Sequence, residues 1–218
     1  MKLWIAALAG CFALCTAGGA TAAEPAKAQS WRDFPGVENS SFVEPGGGRV
    51  LQLSAVVQAP PQQVWEAFVT DAGWTSWASP VGFVELKIGG AIESSYSPDA
   101  RKGDPNNIIN RIEAYVPGRL LVIRNVQAPA GFPGAEAFGK TVTVLEFTPQ
   151  GAGATRVVLS NIGYGQGADF DTVYGHFEWG NAYALDGLQR RFRDGPVNWK
   201  DVFEKARAAQ ASKTMEGN

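Results

Sequence analysis

The chemistry open to this chain is limited by which reactive side chains it carries. His176 is the only histidine, and the two cysteines, Cys11 and Cys15, both lie near the start. One imidazole without thiolates is a poor basis for a zinc site, so no metal is expected, and no cofactor is implied. A Ser–His–Asp arrangement would need His176 to meet a serine such as Ser160, and no motif supports it. Asp169 and Asp171 stand where acidic residues cap a helix start. Arg111, Glu113 and Arg124 are charged residues inside strand-like runs: they either pair on the outer face of a sheet, or an arginine points inward and binds a ligand carboxylate or phosphate through its planar fork.

The most informative polar residue is Asn181. Residues 170–192 read FDTVYGHFEWGNAYALDGLQRRF. At about 100° per residue, Phe170, Val173, Tyr174, Phe177, Ala184, Leu185, Leu188 and Phe192 form one apolar stripe, with Asn181 in its middle. His176 falls on the flank shared with Trp179 and Tyr183. In the strands that precede this helix, alternation places Leu145 and Phe147 inward, and with them Thr141 and Thr143. Val157, Leu159 and Asn161 share a face in the same way. Thr143, Asn161 and Asn181 are therefore expected to form a small polar set in a cavity otherwise lined by Phe177, Trp74, Trp77, Phe83 and Tyr96. Apolar walls with a few fixed polar groups are the usual composition of a small-molecule site. The competing outcome is that the three bond one another or water and bind nothing.

The elements that must position these residues follow in order. Residues 49–58 alternate as a half-buried strand. Pro60-Pro61 opens a helix whose buried side is Val64, Trp65, Ala67 and Phe68. A turn-rich stretch, 71–80, carries Trp74 and Trp77. Strands are expected at 83–88 and 91–96 across Gly89-Gly90, then at 107–115 and 120–126 across Pro117-Gly118. A long connection at 127–140 leads to a last hairpin, 141–147 with 155–162. The long helix comes next, and after Gly195-Pro196 a separate amphipathic helix at 198–211 carries Trp199, Val202, Phe203 and Ala206. Strands in a block with helices set apart argue an α+β fold with helices on one face of an antiparallel sheet.

With 218 residues, 18% charged and 45% hydrophobic, the chain has ordinary globular composition. Lys2, an apolar run and the small residues GGATAA have the layout of a secretory leader, 1–22. A tether is expected at 23–39, one domain at 40–195, and a helix with tail at 196–218. Both cysteines would leave with that leader, and so would Lys2, making the net charge of −2 one unit more negative. An acidic chain whose short basic cluster is Arg190, Arg191 and Arg193 argues against nucleic acid as a partner. Leu8-Ala9-Gly10-Cys11 also resembles a lipobox, which would attach the protein to a membrane through Cys11. Otherwise a periplasmic or secreted location is expected.

Five stretches in the right order, APPQQVWEAFVTDAGWTSWASP, LKIGGAI, EAYVPGRLL, TVTVLEFTPQGAGATRVVL and GNAYALDGL, resemble the START-like superfamily, in particular its branch of heat-shock-protein-90 ATPase activator homologues. The resemblance spans about 49–192. It implies a helix-grip fold, a curved antiparallel sheet of six to seven strands wrapped around a long C-terminal helix, with a cavity between them. Superfamily members bind hydrophobic or amphipathic molecules there, and some perform cyclase or hydrolase chemistry. Relatives often carry Gly-Trp where Gly180-Asn181 stands, so this chain replaces a ring by an amide ahead of Leu185 and Leu188. The leading expectation is thus an exported protein that binds a hydrophobic or amphipathic small molecule. The alternatives are a cyclase- or hydrolase-type enzyme using the same cavity, and an envelope protein-interaction module.

Overall fold

The structure is a computed structural model and describes residues 29–216. The expected leader, the lipobox-like segment with Cys11, and the first part of the tether lie outside the described residues. A short 3-10 turn, Trp31–Asp33, is closed by reciprocal bonds between Ser30 and Asp33. The strands are β1 (Val37–Asn39), β2 (Phe42–Val43), β3 (Arg49–Val57), β4 (Val81–Val84), β5 (Ala91–Ser95), β6 (Ile108–Val116), β7 (Leu120–Gln127), β8 (Val142–Gln150) and β9 (Ala154–Tyr164). The helices are α1 (Pro61–Val69), α2 (Asp71–Thr75), α3 (Ala135–Lys140), α4 (Ala168–Asp194) and α5 (Trp199–Glu216).

All nine strands join one antiparallel sheet in the order β1-β3-β9-β8-β7-β6-β5-β4, with β2 also paired to β3. Together with the long helix this is the helix-grip fold. The count exceeds the six to seven strands expected, because the chain before β3 folds back on it. Val37 stands opposite Ala55 and Phe42 opposite Val50. The last part of the stretch read as a tether, 31–39, is therefore structured, and Phe34 closes on Trp179 and Tyr183 of α4 at 6.1 Å each. A second addition is α3, inside what reads from sequence as a plain connection.

The inner face of the sheet is fixed by strand alternation. Leu51 pairs with Asn161, Asn161 with Thr143, and Thr143 with Ile123, so these residues share one face. Ile112, opposite Ile123, continues it. Onto this face α1 presents Val64, Trp65, Ala67 and Phe68, and Phe68 meets Trp77 at 5.1 Å and Phe147 at 5.3 Å. Prolines 60 and 61 start α1 where an amide hydrogen would have no partner. The 27 residues of α4 bury Val173, Ala182, Leu185 and Leu188. Its acidic first turn suits the helix dipole, and Asp171 there also pairs with Arg49 at 2.6 Å. At the other end Gly195 adopts φ 96°, a positive-φ conformation that glycine takes readily and that stops the helix.

Candidate functional site

Asn161 is 1% exposed on β9, between leucine-lined strands, and would be costly there without partners. It has two. Its Nδ2 donates to Thr143 Oγ1 at 2.7 Å, and its Oδ1 accepts from Asn181 Nδ2 on α4. A thread of amides and a hydroxyl thus crosses from the helix through β9 to β8. The thread explains how an asparagine survives in the apolar stripe of α4. Among the described residues, none donates to Asn181 Oδ1, which stays available.

Beside this thread the packing is incomplete. Gly180 is buried, yet a methyl group placed on its Cα would meet nothing within 4 Å. Protein interiors are close-packed, so open space at a buried helix position marks a gap under α4. Phe177, one turn before Asn181, packs on Phe138 of α3 at 4.6 Å and on Phe132 at 6.4 Å, which brings α3 up as one wall. This contribution of α3 through Phe138, and of the loop before it through Phe132, was missed from the sequence; the apolar pair framing Gly134 is the signal that could have revealed it.

The other expected site residues separate into distinct places. Trp77 is buried with its indole N–H donating to Ala67 O at 2.9 Å. Trp77 and Tyr96 line a hollow of about 90 Å³ together with Pro80, Tyr183, Trp199 and Phe203. Burial pushes the Tyr96 phenol above its ordinary value, with Tyr183 nearby adding to the effect. Trp74 lies instead against Gly82 and donates to Ser79 Oγ at 3.1 Å. His176 stands on the flank of α4, edge-on to Phe132 at 5.0 Å and Phe177 at 5.4 Å. Its Nε2 is buried without a partner, and desolvation holds its pKa below the usual value.

The expected inward placement of Phe83 needs correction, the inward alternative for Arg124 does not hold, and the Ser160–His176 meeting that no motif supported does not occur. Phe83 pairs with Glu93, on the face opposite Gly82, Val84 and Ile92, so it points away from the cavity side. Its parity with the exposed Glu85 and Lys87 is the signal that would have placed it outside. Arg124 is on the outer face too: it reaches Glu113 at 3.3 Å and donates to Lys140 O at 3.2 Å, while Arg111 holds the same carboxylate at 2.8 Å. The arginines therefore neutralise Glu113, and this pairing depresses its pKa. Ser160 faces Gln52, whose Nε2 donates to it at 3.0 Å, on the side of β9 away from Asn161, so it does not meet His176. Glu93, the buried carboxylate among the described residues, also faces outward. It accepts from Asn107 Nδ2 at 2.6 Å and from Gly103 N–H at 2.5 Å, pinning the loop before β6. No group of three or more metal-ligating side chains occurs among the described residues, and no helix there is long and apolar enough to cross a membrane.

A curved antiparallel sheet gripping a long helix, with a polar thread and unfilled space between them, defines the class of helix-grip, START-like proteins. The chain belongs to the family described as polyketide cyclase / dehydrase and lipid transport, which matches residues 48–204. Solved structures agree on the fold. A protein from Mesorhizobium loti superposes with a TM-score of 0.52 at 18% identity, covering 68% of this chain and 100% of the other. The Aha1 dimer from Colwellia psychrerythraea gives 0.50 at 15% identity, over 67% and 97%. CalU16 from Micromonospora echinospora gives 0.50 at 20% identity, over 80% of each chain. No curated protein sequence matches the chain.

Proposed function

We propose that this protein is exported and binds a hydrophobic or amphipathic small molecule in the space between the sheet and α4. The observation that carries the reading is the juxtaposition of the Asn181–Asn161–Thr143 thread with open space at the buried Gly180. Apolar walls supply most of the binding free energy through area removed from water, and the free Asn181 oxygen gives one end of the ligand an orientation. Membership of a family that includes lipid transport supports a ligand of this kind. Export is supported by the leader-like first 22 residues. The mass of the mature protein tests that part: a chain beginning near residue 23 is expected, and an acylated Cys11 would replace it with a lipoprotein.

Binding itself is tested by native mass spectrometry and solvent extraction of protein purified from its own compartment, compared with Asn181→Trp. A ring at position 181 should fill the gap and abolish ligand carriage. Carriage unchanged in Asn181→Trp would show that the site is elsewhere.

A further inference from the structure

The C-terminal helix α5 is anchored through its start. Val197 N–H donates to Ser76 O at 2.9 Å, Trp199 Nε1 donates to Thr75 O at 2.6 Å, and Phe203 is buried. By contrast, every side chain from 204 to 212 is exposed. The joint with α4 is Gly195, at positive φ, followed by Pro196. Its anchored first turn closes the hollow over Trp77, Tyr96 and Tyr183. At about 90 Å³ the closed hollow is smaller than the roughly 150 Å³ cavity that admits a benzene ring. A ring of that size does not fit the hollow while α5 is seated.

The hollow borders the same helix that carries the gap, since Tyr183 of α4 lines it. Gly180, Ala184 and Gly187 succeed one another at helical spacing along one flank of α4, and a Cβ on Gly187 would lie 4.0 Å from Trp77, a wall of the hollow. Small residues therefore occupy the stretch of α4 between the two spaces. The chemistry of the walls selects what enters. The indole N–H groups of Trp77 and Trp199 are both engaged with backbone carbonyls, so these rings offer carbon. No Lys, Arg, Asp or Glu lines the hollow, and a charged head group would be buried there unpaired. Arg190 sits 5.9 Å from the Tyr183 ring centre, which disfavours a second cation on that ring. The Tyr96 hydroxyl has no hydrogen-bond partner among the described residues.

We propose that this hollow is the entrance to the cavity under α4, that Tyr96 donates a hydrogen bond to an uncharged oxygen on the ligand, and that the first turn of α5 is the door. The proposal rests on the cavity reading given above. Decanol, decanoate and decylammonium, identical in chain and different in head group, test it by calorimetry on the full mature protein at pH 8, with stopped-flow kinetics for the rates. Decanol should bind at least tenfold more tightly than either ion. Tyr96→Phe should weaken decanol by about two- to tenfold, the range of one hydrogen bond, without weakening decanoate. Trp199→Ala and, more gently, Val202→Ala should raise both the association and dissociation rates while leaving the dissociation constant within about threefold.

Equal affinity for the three heads, or no effect of Tyr96→Phe, would overturn the assignment of the head group. Unchanged rates in both α5 variants would overturn the door. If decanol binds and Asn181→Trp blocks it while the Tyr96 and α5 variants are silent, the cavity reading stands and this inference alone fails. No binding of any probe defeats both.

Discussion

The two halves of α4 differ in how completely they are packed. Toward its C-terminal end Leu185 and Leu188 are 2% and 0% exposed, in a core shared with Leu53, Val57 and Val157, each fully buried. Around its middle the same helix carries Gly180 beside empty space, Asn181 on a polar thread, and His176 with a buried nitrogen lacking a partner. One helix is thus a clamp at one end and a cover farther back. The difference teaches that the apolar stripe of α4 has two separable roles, and substitutions in the two halves should differ in size and even in sign.

The largest effect is expected from Leu188→Ala, which leaves a cavity in the filled half and should cost about 2–5 kcal/mol in urea unfolding. Next is Asn161→Ala: it removes the centre of the thread and strands the Asn181 amide and the Thr143 hydroxyl, at about 1–3 kcal/mol by the same measurement. Gly180→Ala should go the other way. Its methyl group enters open space and alanine is the better helix former, so a gain of about 0.5–1 kcal/mol is expected. A loss there would mean that the middle of α4 is as tightly packed as its end, and the comparison would collapse.

The smallest effect concerns pH. Burial between Phe132 and Phe177 lowers the pKa of His176 in the folded state, so in the mildly acidic range the unfolded chain binds more protons. The contribution of the neutral ring to stability is complete above the ordinary histidine value, about 6.5, and is lost progressively as pH falls through and below it. Unfolding midpoints measured from about pH 7.5 to 5 should show a slope that His176→Phe reduces. An unchanged slope would place the titrating group elsewhere.

Much of this was legible in sequence because it rests on period. The inward faces of β8 and β9 follow from alternation, the stripe of α4 from 3.6-residue spacing, and together they bring Thr143, Asn161 and Asn181 to one place. What escaped rests on short or non-local contacts. β1 has three residues and exists because Val37 can pair with Ala55, a relation no local pattern announces. α3 has six residues, below the length at which helical period declares itself, and its position depends on Phe138 finding Phe177. The apolar side of α5 was legible through Trp199, Val202 and Phe203, but Ala206, placed on the same side, is exposed because the buried contact ends after the first turn.

The amide thread has a consequence for alignment. An apolar stripe alone discriminates weakly between neighbouring positions, since sliding a helix by one turn, about 5.4 Å, can set leucines against leucines again. The Asn181–Asn161 bond permits no such slip: a shift of one turn, or a rotation of about 100°, would leave both side chains among hydrocarbon without each other. The pair acts as a latch pin, giving a 27-residue helix one seated position on the sheet.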